Sequence, residues 1–182
     1  MKQTFKILAL TIIFLPFVHA DELPQDMKEL AKQRAGLNQK INALFNQEKL
    51  HNDPDYKKAQ MAKVKAKFNL ESNARKNAAT KEICERLQAA RKKLNASLKT
   101  PDKADDQAAM TSINQETESL YRLASSTPDL QPHFKKIRET EAAIRMKKRV
   151  LVDQTPKGKP IISEWLKVNQ AMTKLNKSQQ KK

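Results

Sequence analysis

Residues 160–177 read PIISEWLKVNQAMTKLNK, and their large apolar side chains recur at Ile161, Trp165, Val168, Met172 and Leu175. Steps of four, three, four and three residues place all five on one stripe of an α-helix. A strand would scatter them over both of its faces. Lys167, Lys174 and Lys177 fall outside the stripe, so the segment reads as an amphipathic helix with its apolar side turned to a partner. Trp165 is the chain's only tryptophan and the candidate packing anchor of that helix.

Working outward, the same spacing recurs upstream. Met27, Leu30, Leu37, Ile41 and Leu44 keep it, with Arg34 interrupting. Met61, Val64 and Phe68 open a second segment that continues through Ile83, Leu87, Ala90 and Leu94. Met110, Ile113, Leu120 and Ala124 mark a third. Leu130, Phe134, Ile137, Ile144 and Leu151 mark a fourth, with Glu141 and Lys148 breaking the seam. Helices are therefore expected over 24–50, 54–99, 102–125, 129–153 and 160–177, with a flexible basic tail at 178–182. An unbroken helix over 54–99 would run about 69 Å, longer than a compact domain of this size, so it either projects or bends in the polar stretch Asn69–Glu82.

Proline supplies the punctuation. Asp53-Pro54-Asp55, Thr100-Pro101-Asp102 and Thr127-Pro128-Asp129 repeat one device. A side-chain oxygen caps the orphan N–H groups, proline takes the first helical position, and a carboxylate faces the positive helix end. Pro160, after the breaker Thr155-Pro156-Lys157-Gly158, is expected to open the last helix. The short breaks at 100–101 and 127–128 suggest antiparallel neighbours. Glycine occurs only at Gly36 and Gly158, too seldom for hairpin turns or a phosphate-cradling nucleotide loop. The fold class expected is all-α, an extended antiparallel bundle of coiled-coil-like helices forming one domain over 21–182.

Residues 1–20, MKQTFKILALTIIFLPFVHA, carry a different message. Lys2 and Lys6 form a positive start, Ile7–Val18 an apolar run broken by Pro16, and Val18-His19-Ala20 a small-residue end. That order is expected of an export signal cut after Ala20. The run falls short of the roughly 18–20 apolar residues a membrane anchor needs. Export to a bacterial periplasm is the expected localisation, with secretion as the alternative. The lone Cys84 can form no internal disulfide, whereas small secreted animal domains are usually stapled by several.

Cutting after Ala20 removes two lysines and no acid, taking the net charge from +16 to +14. Solubility alone asks for a charge of only about 2–8. Segments 54–99 and 129–160 are strongly basic while 100–128 is acidic, so the third helix is the natural neighbour of the second or fourth. The densest basic clusters, Arg91, Lys92 and Lys93 and then Arg145, Lys147, Lys148 and Arg149, are the candidate contacts for an anionic partner.

Catalytic chemistry finds no motif. His51 and His133 stand in no metal-ligand spacing, and Cys84 has no partner and reads as a small buried residue. No catalytic residue, metal ligand or cofactor is expected. The function expected is that of an exported, non-enzymatic binding protein, a periplasmic chaperone-like protein or adaptor engaging proteins or anionic envelope polymers. A secretion-apparatus component or a secreted effector acting by protein contact is the alternative. Extracytoplasmic nucleic-acid binding is a minor one, because export removes the chain from cytoplasmic DNA and RNA and the basic runs lack stacking aromatics. Peripheral membrane contact through residues 160–177 and self-association are weaker readings of the same surfaces.

Overall fold

The computed structural model describes residues 25–97 and 103–179. The expected export signal, the Thr100-Pro101-Asp102 cap and the last three residues lie outside them. Among the described residues the chain is all-α: α1 (Gln25–Gln47), α2 (Pro54–Ala74), α3 (Lys81–Ser97), α4 (Lys103–Ser126), α5 (Gln131–Asp153) and α6 (Gly158–Gln179), with a short 3-10 turn at Leu50–Asn52. No helix among them is long and apolar enough to cross a membrane.

The helices pack as three antiparallel pairs, α1 with α6, α2 with α5 and α3 with α4. Polar contacts across the pairs include Asn38 with Trp165, Asp55 with Lys147, Lys63 with Glu141, Arg86 with Glu116, and Ser97 with Asp106. In each, the two residues lie almost equally far along the sequence from a point near residues 101–102. The chain is thus one long helical hairpin, its outward leg α1–α2–α3 matched level by level by the returning leg α4–α5–α6. Both legs break at corresponding heights, at 48–53 against 154–157 and at 75–80 against 127–130. The hairpin is jointed.

The joints show which sequence signals act as expected. Asp53 Oδ1 accepts from the Tyr56 N–H at 2.8 Å with Pro54 at the helix start, so this cap forms as read. Thr127 does not cap α5. Its hydroxyl donates to the Leu123 carbonyl at 2.8 Å, closing the end of α4, and α5 begins at Gln131 after one further turn. The break at 127–130 is also no hairpin, since α5 continues the returning leg. At the last helix the Gly158 N–H donates to Thr155 Oγ1 at 3.0 Å, so α6 starts two residues before Pro160. At its other end α6 runs on into the expected tail through Gln179.

The expected helix 54–99 is two helices. It breaks at 75–80, within the polar stretch, where Thr80 is fully buried and its hydroxyl donates to the Ala74 carbonyl at 2.7 Å. That bond ties off the end of α2, and the Thr80 carbonyl in turn accepts from Cys84 N–H in the first turn of α3. Glu71 and Arg91 then bridge the joint with two parallel hydrogen bonds of 2.7 Å.

Two apolar clusters hold the hairpin. One gathers α1, α6, the end of α5 and Tyr56 around Phe45 and Trp165, with the Phe45 and Tyr56 rings 4.8 Å apart. The other joins α2, α3, α4 and the start of α5 around Leu70, Leu87, Leu120 and Ile137. Each fully buried side chain of that size contributes about 1.5–3 kcal/mol. The acidic α4 packs on α3, the later part of the expected second helix, with Arg86 held by Glu116 at 2.9 Å. That pairing sets opposite charges beside the seam, as the segment charges imply.

Candidate binding surface

The basic residues singled out from sequence divide into two groups. Lys92 and Lys93 are exposed on α3, while Arg91 beside them is engaged by Glu71 across the joint. On α5, Arg145 is exposed, but the next three cations turn inward. Lys147 Nζ meets Asp55 at 3.0 Å and Asp53 at 3.8 Å. Its hydrogen bond and charge hold the Asp55 carboxyl below the usual range. Lys148 donates to Asn42 Oδ1 at 3.0 Å and sits 4.7 Å from the Phe45 ring centre, and burial lowers its ammonium. The Arg149 guanidinium lies 3.7 Å from the centre of the Trp165 ring. Trp165 itself is buried in the first cluster, with its Nε1–H donating to Asn38 Oδ1 at 3.1 Å. The densest basic run in the sequence is therefore largely used in packing α5 onto its neighbours, with Arg145 its open cation, and Lys92 and Lys93 are the open cations of the α3 cluster.

The largest departure from the sequence reading is on α2. Met61, Val64 and Phe68 were the expected seam, yet they are 68%, 59% and 71% exposed. The buried face is the opposite one, formed by Tyr56, Ala66, Leu70 and Ala74. Small side chains let α2 approach α5 closely, and Lys63 reaches along this flank to Glu141 at 3.2 Å. Helix α2 thus carries two apolar stripes on opposite sides, and only one is covered. A sequence signal for this existed in the Ala66–Leu70–Ala74 spacing of fours. The larger residues at 61, 64 and 68 outweighed it because side-chain volume dominates any count of apolar positions.

The uncovered stripe is narrow, one residue wide with the three–four spacing of a helix seam. Its surroundings are one-signed. Lys57, Lys58 and Lys65 are exposed on α2, and Arg75 and Lys76 just past its end, whereas its two acids, Asp55 and Glu71, are both engaged by cations of other helices. The surface is apolar along the middle and positive along its edges.

Between α3 and α4 lies a groove of about 700 Å³ walled by Ala89, Ala96, Ala108 and Ala109 with Glu116 at one end. One Glu116 carboxylate oxygen accepts from Arg86, and the other is buried with no hydrogen-bond partner. Cys84 is buried, and burial, followed by the Glu71 charge, raises its thiol. His51 is exposed and His133 half-buried, and among the described residues no group of His, Cys, Asp and Glu converges that could hold a metal ion. No protein-family model, curated protein or solved structure matches the chain. Fold and surface together define an all-helical jointed hairpin with a basic-rimmed apolar stripe.

Proposed function

We propose that the protein is an exported, non-enzymatic binding protein, chaperone-like or an adaptor, that captures acidic amphipathic segments of other proteins on the outer face of α2. The observation that carries this reading is the uncovered Met61–Val64–Phe68 stripe between exposed lysines. An apolar side chain left in water forgoes about 25 cal/mol for each Å² that a partner would cover. A segment with apolar residues at matching helical spacing would cover this stripe, and its carboxylates would meet the lysine rim. Pairing α2 with α2 of a second copy would set lysine against lysine, so a partner of opposite charge fits better. Contact with anionic envelope polymers would draw on the same cations without using the stripe.

The test compares wild-type protein with a Met61→Ser/Val64→Ser/Phe68→Ser variant. Both should keep the same helicity. Wild type should suppress aggregation of an acidic unfolded protein at near-stoichiometric amounts, and the variant should not. Added salt should weaken capture without removing it, since charge assists and apolar contact holds. Equal suppression by the two proteins would remove α2 as the site. Salt-sensitive binding to lipopolysaccharide or peptidoglycan that survives the triple substitution would favour the polymer reading.

A further inference from the structure

We propose that Arg34, Arg145 and Arg149 form a binding site for a phosphate group, beside the stack of Arg149 on Trp165. The site lies at the α1–α5–α6 meeting point, away from the α2 stripe, and does not depend on the reading given for that face.

Arg149 is the centre of the argument. Its guanidinium covers the Trp165 ring at 3.7 Å, which spends one of its flat faces on packing. A guanidinium also carries five N–H donors around its edge. Among the described residues no acceptor takes any of them, and no carboxylate pairs with Arg149. Asp153, one turn further along α5, is exposed and makes no ion pair with it. Elsewhere half-buried Arg91 is paired with Glu71, and even exposed Arg86 has Glu82 and Glu116.

The charges that do act on Arg149 are positive. Arg145 stands one turn before it on α5, and Arg34 one turn before Asn38 on α1. Asn38 in turn holds Trp165 through the indole hydrogen bond, fixing the ring on which Arg149 rests. Burial first, then repulsion from Arg145 and Arg34, draws the Arg149 guanidinium down to about 10. Neither Arg34 nor Arg145 has an acid partner among the described residues. The fold thus places three cations from two helices around the Trp165 stack, half-buries two of them, and pairs none of them with a carboxylate among the described residues.

The chemistry of the missing partner follows from that count. A single carboxylate brings one negative charge and two acceptor oxygens. A phosphate monoester brings about −1.5 to −2 and three strong acceptor oxygens, which suits three neighbouring guanidiniums. Arginine, whose planar fork donates two parallel hydrogen bonds, is the residue type that matches such an oxyanion. Exposed Arg145 leaves one side of the site open, so a phosphate carried on a larger molecule can enter. Free phosphate and a phospholipid headgroup share this chemistry.

The sole tryptophan makes the test direct. Full-length protein is titrated with inorganic phosphate at constant ionic strength, following Trp165 emission, with acetate and chloride as controls. A saturable change with phosphate and not with the controls is expected. Arg34→Gln and Arg145→Gln, neither of which removes the stack, should each weaken the response by about tenfold or more. Arg149→Lys keeps the charge and loses the fork, and should weaken it similarly while the protein stays folded. Vesicles of phosphatidylcholine with and without phosphatidic acid separate the sources. A change with acidic vesicles as well as with inorganic phosphate assigns the site to headgroups, and a change with inorganic phosphate alone assigns it to a soluble phosphate. A response no larger than that to acetate in both arms, or one undiminished in Arg34→Gln and Arg145→Gln, overturns the proposal.

Discussion

Phe68 and Leu70 stand two residues apart on α2, and the fold assigns them opposite fates. Phe68 is 71% exposed and Leu70 is 0% exposed. Replacing Leu70 by Ala removes the equivalent of about three methylene groups from the buried cluster it shares with residues of α3, α4 and α5, near 2.4 kcal/mol at about 0.8 per group. The cavity left behind adds to that, giving an expected loss of about 2.7–5 kcal/mol. Replacing Phe68 by Ala removes a larger side chain that is already mostly in water, so the expected loss is under about 0.5 kcal/mol. For a chain of this length about 1 kcal/mol moves Tm by about 2–4 °C, so Leu70→Ala should melt roughly 5–20 °C lower and Phe68→Ala within about 2 °C of wild type. Urea melts followed by circular dichroism supply the free energies, with an unchanged slope expected for both variants. Had the apolar spacing of the sequence been the whole truth, Phe68 would be the costly position. Equal destabilisation by the two variants, or a larger one from Phe68→Ala, would mean that α2 is turned about its axis, and the exposed stripe would vanish as a binding surface.

Gly36 sits inside α1 with open space where a Cβ would go, so Gly36→Ala should stabilise the protein by about 0.5–1 kcal/mol, read as a raised Tm. Gly158 is the reverse case: an added Cβ would run into the Val152 carbonyl and the Thr155 hydroxyl at the start of α6, and Gly158→Ala should cost about 1–3 kcal/mol in the same melt. Tyr121 is half-buried beside Phe134, and burial, then the charge of Glu141, pushes its phenol up to about 12. Because the folded form holds this proton more tightly, the associated stability is complete below pH 10 and lost as pH rises toward 12, so ultraviolet titration should show Tyr121 ionising late and together with alkaline unfolding. Reversing Arg145, Lys147, Lys148 and Arg149 to Glu should lower stability and not merely surface charge, since it removes the contacts of Lys148 with Phe45 and Arg149 with Trp165, about 1–3 kcal/mol together. A quadruple variant that melts like wild type would show that these cations pack nothing.

Much of the fold was legible along the chain. The α6 stripe from Ile161 to Met172 is buried or half-buried as its spacing implied, and Trp165 lies in the core it was expected to anchor. The acidic third segment found its basic neighbour. What failed did so for local reasons of competition. Thr127 had two carbonyl and amide sets within reach, and its hydroxyl went to the helix that ended there. The polar stretch before Glu82 reads equally well as an exposed helix or a bend, and only the buried Thr80 hydroxyl on Ala74 decides for the bend. The basic run on α5 looked like open surface because composition reports charge and not direction. The Lys148 ammonium and the Arg149 guanidinium instead lie over the rings of Phe45 and Trp165.

The sequence by itself determined that this chain is helical, where three of its breaks fall, and that its net charge is strongly positive. Those properties are local: backbone propensity, proline geometry and charge count act within a turn or two. Which stripe of α2 faces the hairpin was decided only in three dimensions. The α2 segment offers two apolar faces, and the winner is the one whose small side chains at Ala66 and Ala74 admit the opposing helix at close range while Leu70 fills the space between. Packing density is a property of two surfaces together, and no periodicity in one of them contains it. The nearness of Arg34 on α1 to Arg149 on α5 is of the same kind, since residues more than a hundred positions apart come to feel each other's charge only in the folded chain.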